Sequence, residues 1–185
     1  MTRLAPRPAA QWDEGTRSML RGRLARADQY LEPGARVPNV LGLLAHHERL
    51  ASAWLAWNAV LLEEGSLEPR LRELLVLRVA HRAGSEYEWL QHLRIGARAG
   101  LTPRQLDDVR TGPAAPGWTA HERLLLTAAD ELLDHRMISD RTWAALVTEL
   151  DVKQVLELMF VTGSYLCLAT VFNSVALEPD PEDET

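Results

Sequence analysis

The residues best suited to moving a proton lie between Glu73 and His92. Gly84 to Gly96 reads GSEYEWLQHLRIG. At about 100° per residue, Ser85, Glu88 and His92 share one face of a helix. A glutamate one turn before a histidine favours the imidazolium and raises its pKa, which suits general acid–base work. The helix N-terminus favours a charged carboxylate, so Glu88 is expected to accept protons or orient His92 rather than donate. The same atoms have a plainer use. Ser85 with Glu88 three residues on is a capping box, in which each side chain satisfies a backbone N–H at a helix start. Spacing alone leaves both readings open.

Glu73 belongs to the preceding segment, RLRELLVLRVA, otherwise Leu and Val and flanked by Arg70, Arg72 and Arg78. It is either a solvated carboxylate paired with an arginine or a group aimed into a pocket between two helices. The short Ala83-Gly84 connection sets those helices side by side, which makes contact between Glu73 and His92 feasible.

Other chemistry finds less support. His46, His47, His81, His121 and His135 are scattered, with neither an HExxH pattern nor a Cys/His set. Neighbouring histidines on a helix point about 100° apart, so His46 and His47 do not readily share an ion, and no metal is expected. There is no glycine-rich phosphate loop, and Ser85 lacks the GxSxG turn of a hydrolase nucleophile. Cys167 is the only cysteine, which excludes an internal disulfide; it lies in an apolar run and is expected to be buried and inert. The formal net charge of -6 argues against a nucleic-acid partner. The arginines are dispersed among glutamates, as on solvated helix surfaces.

The elements that must position these groups read as helix after helix, without a period-2 strand pattern, so the fold class is all-α. A first helix is expected from Trp12 to Leu31, ended by Pro33-Gly34. A long second one runs from an Asn39 N-cap to Glu64. Pro69 opens a third, Ser85 to Ala99 forms the fourth, and Gly100 follows in the C′ position. Boxes at Thr102/Gln105, Thr119/Glu122 and Asp151/Gln154, with Ser139 or Asp140 as a further cap, start the remaining helices; the last reaches about Val175. Thr111 to Gly117 is a turn-rich connector. Residues 1–38 are expected to form an N-terminal helical extension, 39–177 the main helical domain, and 178–185 a disordered acidic tail. Trp54, Trp57 and Trp143 lie on leucine-rich stripes and are expected in the core or at a subunit interface. No apolar stretch is expected to span a membrane and no signal core is present, so the expected setting is the cytoplasm.

Leu67 to Thr102 resembles the signature stretch of the carboxymuconolactone decarboxylase family, which also contains alkylhydroperoxidases of the AhpD type. Arg72-Glu73, Tyr87-Glu88-Trp89, His92 and Gly100-Leu101-Thr102 follow its pattern in order and spacing. The resemblance implies an AhpD-like bundle of about seven to eight helices. It also implies assembly into homo-oligomers, as dimer, trimer or hexamer. In the peroxidase branch it implies a glutamate, a CxxC pair and a histidine, which fall on Glu73, Ser85, Glu88 and His92; both thiols are missing. In the decarboxylase branch it implies a cofactor-independent lyase or isomerase of aromatic catabolism acting on a small lactone carboxylic acid. Catalytic roles then fall to His92, Glu73 and Glu88, hydrogen-bonding roles to Tyr87 and Ser85, and carboxylate binding to an arginine such as Arg72. One departure from relatives lies in the last helix, where GSYLCL carries Leu166 and Cys167 in place of a histidine after Gly-x-Tyr.

Overall fold

A computed structural model describes residues 2–21, 27–32 and 34–181. Among these residues there are ten α-helices and no strand. The chain divides into two units. Residues 1–64 and 174–185 form the first, and residues 65–173 the second.

In the first unit, the helix expected from Trp12 to Leu31 is replaced by two short ones, α1 (Glu14–Ser18) and α2 (Ala27–Leu31); residues 22–26 and Pro33 lie outside the described residues. Trp12 precedes α1, buried, with its indole N–H donating to the Arg7 carbonyl. The helix expected from Asn39 to Glu64 is broken into α3 (Asn39–Leu44) and α4 (Glu48–Leu62). The cause is a competing donor: the Arg7 guanidinium takes the Ala45 carbonyl at 2.8 Å, and His47 Nδ1 caps α4 by accepting the Leu50 N–H. Asn39 is the first helical residue rather than the cap. Its backbone N–H donates to Asp180 Oδ1 at 2.7 Å and its side chain to the Glu178 carbonyl. Residues 178–181 of the expected tail therefore carry hydrogen bonds, and residues 182–185 lie outside the described residues. Trp12, Met19, Leu20, Leu41, Ala45, Ala51 and Leu55 form this unit's core, with Trp54 packed on it; Trp57 is 42% exposed.

The second unit is organised around α5 (Pro69–Arg82), in which every residue from Arg72 to Ala80 is buried. It packs against α6 (Glu86–Arg98), α7 (Pro103–Thr111) and α8 (Ala120–His135), and α8 in turn against α9 (Asp140–Glu149). The expected starts hold where a local side chain closes the helix end. Pro69 and Pro103 occupy first-turn positions, both threonine boxes form, Ser139 caps α9, and Asp151 and Gln154 cap α10 (Val152–Val175) reciprocally. Leu74, Leu77, Leu101, Val109, Ala115, Trp118 and Leu126 fill the core between these helices.

Two expectations about α10 need correction. By length and composition this helix could cross a membrane, a feature hidden by the Lys153 and Glu157 at its start. Its inner stripe of Leu158, Val161, Tyr165, Leu168 and Phe172 is buried in the protein, as in a core helix. Cys167 is exposed rather than buried, because α10 is apolar on every side and its outer face lies uncovered. Trp143 on α9 is likewise half-exposed.

Candidate functional site

The turn between α5 and α6 determines what meets what. Gly84 takes a left-handed φ of 62°, a conformation that costs glycine little, and the chain reverses within the residues 83–85. Farther along α6, a Cβ at Gly96 would come within 3.1 Å of Leu77 and Leu101, so the absence of a side chain there lets α6 lie close on α5. Glu73 near the start of α5 thereby meets His92 in the middle of α6. His92 Nδ1 and Glu73 Oε2 are 2.6 Å apart, with relative exposures of 9% and 2%. The feasible contact is made, and the partner of His92 is Glu73 rather than Glu88.

This pairing fixes the tautomer. Nδ1–H donates to the Glu73 carboxylate, and Nε2 is left as the nitrogen that can take up or release a proton. Arg72 Nε stands 3.7 Å from the other Glu73 oxygen, so that carboxylate lies between a guanidinium and an imidazole.

Glu88 behaves differently from the sequence expectation. It is buried, and neither carboxyl oxygen has a hydrogen-bond partner. Burial pushes its pKa up to about 8, with the nearby Ser85 hydroxyl pulling weakly the other way. At neutral pH Glu88 is therefore largely protonated and can donate. The stabilisation expected from the helix N-terminus is real in principle but smaller than the desolvation of a buried carboxylate. The expected capping box is not formed either. Ser85 occupies the N-cap position, yet its hydroxyl makes no capping bond and is buried without a partner. Two buried polar side chains one helical turn apart are left unsatisfied, the kind of exception that marks a site more often than a helix cap.

Sequence reading missed Tyr165. It comes from α10, is buried, and sets its ring edge-on to the His92 ring, with centroids 5.0 Å apart and planes at 88°. Burial first, then the negative charges of Glu73 and Glu88, push its phenol above the usual range, opposed by Arg72. Its hydroxyl therefore stays protonated. The signal was present in GSYLCL, but a helix apolar on all sides does not reveal which residue faces inward. Tyr87 is buried with its ring on Phe172 of the same long helix, at 5.1 Å. Trp89 turns away, beneath the Arg110 guanidinium at 4.5 Å and beside His81.

The choice among the three arginines narrows by partnership. Arg78 is committed to both oxygens of Asp130 and to the carbonyls of Val109 and Arg110. Arg70 pairs with Glu122, the capping glutamate of α8. Arg72 is buried, and its Nε has no hydrogen-bond partner.

The six residues singled out in the sequence, Arg72, Glu73, Ser85, Tyr87, Glu88 and His92, thus all lie in the buried parts of α5 and α6 and the turn between them. With Tyr165 they supply a carboxylate–imidazole dyad, a second carboxyl group, three hydroxyls and a guanidinium.

Residues 48–131 match the model of the carboxymuconolactone decarboxylase family. No curated protein matches the sequence. Among solved structures, the fold is similar to an uncharacterized peroxidase-related protein of Ralstonia eutropha, described as an alkylhydroperoxidase AhpD core. The TM-score is 0.80 at 18% identity, covering 97% of this chain and 92% of that one. An uncharacterized peroxidase-related protein of Silicibacter is similar to the same degree, with TM-score 0.80 at 19% identity over the same shares. A protein of unknown function from Agrobacterium tumefaciens, linked in its description to AhpD and antioxidant defence, aligns with TM-score 0.70 at 16% identity. That alignment covers 75% of this chain and 96% of the other. The fold is AhpD-like and all-α, as expected from the sequence, with more helices than the seven or eight anticipated because α1/α2 and α3/α4 are split.

Proposed function

We propose that the protein is a cofactor-independent lyase or isomerase that transfers protons on a small lactone or related carbonyl carboxylic acid. The observation that carries this reading is the buried Glu73–His92 pair beside unpartnered Glu88 and Ser85. In a decarboxylation, the bond from the carboxylate to the adjacent carbon breaks, CO₂ leaves, and the electron pair passes into the substrate carbonyl as an enolate. The protonated imidazole of His92 then delivers the proton from Nε2 to carbon and is recharged from solvent. Glu73 holds the ring and stabilises the imidazolium. Arg72 anchors a substrate carboxylate, since its two neighbours are committed elsewhere, and Ser85, Tyr87 and Glu88 supply hydrogen bonds.

A binding protein that kept the fold without the chemistry would have Glu88 and His92 facing solvent and Ser85 acting as a cap; burial and the unmade cap count against it. A thiol peroxidase gains from the exposure of Cys167 but has no second cysteine in the chain. Screening lactone carboxylic acids for CO₂ release or an ultraviolet absorbance change tests the proposal. His92→Ala should abolish turnover with the fold intact, and full activity in that variant would refute it.

Homo-oligomerisation, probed by light scattering, is part of the same proposal. Val152, Leu156, Cys167 and Val171 line an uncovered apolar stripe about 29 Å long on α10, a surface that a second copy of the chain fits by like-on-like packing.

A further inference from the structure

We propose that Tyr165 and Glu88 form a two-donor site for an enolate-type oxyanion, beside the proton-transfer couple of His92 and Glu73. The inference rests on the acid–base reading above but concerns different atoms. Position 172 shows what packing alone requires: one helical stretch away on α10, a phenylalanine fills the same inner stripe against Tyr87. At position 165, packing on His92 would be served by the same hydrocarbon ring, yet the buried residue carries a hydroxyl, near enough to Glu73 and Glu88 for both carboxyls to act on its ionisation. Burying a phenol oxygen and an unpaired carboxyl together is unfavourable unless something hydrogen-bonds to them. No protein group does so for the Glu88 oxygens or for Ser85 Oγ.

A ligand oxygen would relieve that deficit. Tyr165 and Glu88 each have a proton to give under neutral conditions, since burial disfavours both of their charged forms. Donors fixed in a water-poor site before negative charge appears stabilise it far better than water does. A phenol paired with a carboxylic acid kept neutral by an apolar site is an established way to hold an enolate oxygen. The ligand class that follows is a carbonyl compound whose oxygen gains negative charge next to a carbon reached by His92 Nε2. A stable phenolate imitates that oxygen.

The test uses 4-nitrophenolate as the probe with the full-length protein, its binding followed through the absorbance band of the anion. Wild type should bind saturably, and Tyr165→Phe and Glu88→Gln should each weaken binding by about tenfold or more. Cys167→Ser, on the outer face of the same helix, should leave it unchanged. Phenylalanine preserves the ring on His92, and glutamine preserves the shape of Glu88, so a melting curve close to wild type is expected for both. The pair is refuted if wild type does not bind the probe, or if binding survives both substitutions. With a turned-over lactone, Tyr165→Phe should lower kcat by about 10²-fold with KM little changed. Failure of the acid–base reading is distinguishable: His92→Ala would then retain turnover, while loss of phenolate binding in Tyr165→Phe would still uphold the pair.

Discussion

His92 Nδ1 and Glu73 Oε2, nineteen residues apart in the chain, meet at 2.6 Å in a buried contact between adjacent helices. The contact makes Glu73 a positioning residue for the imidazole. Glu73→Gln keeps the shape but removes the carboxylate that accepts the imidazole N–H. Turnover should fall by about 10²-fold or more. The nitrogen chemical shifts of His92 should also show a changed tautomer balance, which a purely structural role for Glu73 would not produce.

Ser85 occupies a cap position without capping. Removing a working cap costs about 1 kcal/mol. Ser85→Ala should instead leave the melting temperature unchanged or raise it, because a buried, unsatisfied hydroxyl is removed. A fall equivalent to about 1 kcal/mol would restore the capping interpretation.

Glu88 links stability to pH. Its folded pKa of about 8 lies above the ordinary value of 4.5, so between those two the native state holds a proton that the unfolded state has released. Stability contributed by the neutral form is present at low pH and lost as pH rises through about 8. Ser85 lies one helical turn before Glu88, whose charge acts on Tyr165. Denaturant titrations at pH 5 and pH 9 should show a smaller decline for Glu88→Gln than for wild type. Equal declines would mean that Glu88 is charged in the folded protein.

Arg78 and Arg72 should separate cleanly. Arg78→Ala leaves the Val109 and Arg110 carbonyls without their donor and Asp130 with Arg82 alone, and a loss of about 1 to 3 kcal/mol in chemical denaturation is expected. Arg72→Ala should cost less stability and act mainly on KM for a carboxylate substrate. Comparable destabilisation by both would place Arg72 among the structural arginines.

Leu156→Asp introduces charge into the apolar outer stripe of α10, where the side chain is 46% exposed. It should lower the mass measured by light scattering without lowering helicity. An unchanged mass would remove this face from the proposed assembly.

Helix ends were legible wherever the signal is local. The boxes at Thr102 and Thr119, and the prolines at 69 and 103, act within one turn of their own position. The break at Ala45–His47 was not legible, because its cause is the guanidinium of Arg7, distant in sequence. Ser85 shows the limit from the other side, since the pattern of a capping box is present but burial redirects both side chains. Glu73 and His92 were readable as a feasible pair because a short turn constrains two helices strongly. Tyr165 was not, because uniform apolarity erases the period that would assign it to a face.

The Gly84 hairpin has a consequence for how such a protein can diversify. Its two arms carry the imidazole and the carboxylate that holds it, whereas the phenol arrives on a separate helix far along the chain. Changes at position 165 can therefore alter which molecules are accepted while the proton-transfer couple remains in place. The hairpin is the engine in physical terms, and the long helix is the interchangeable part.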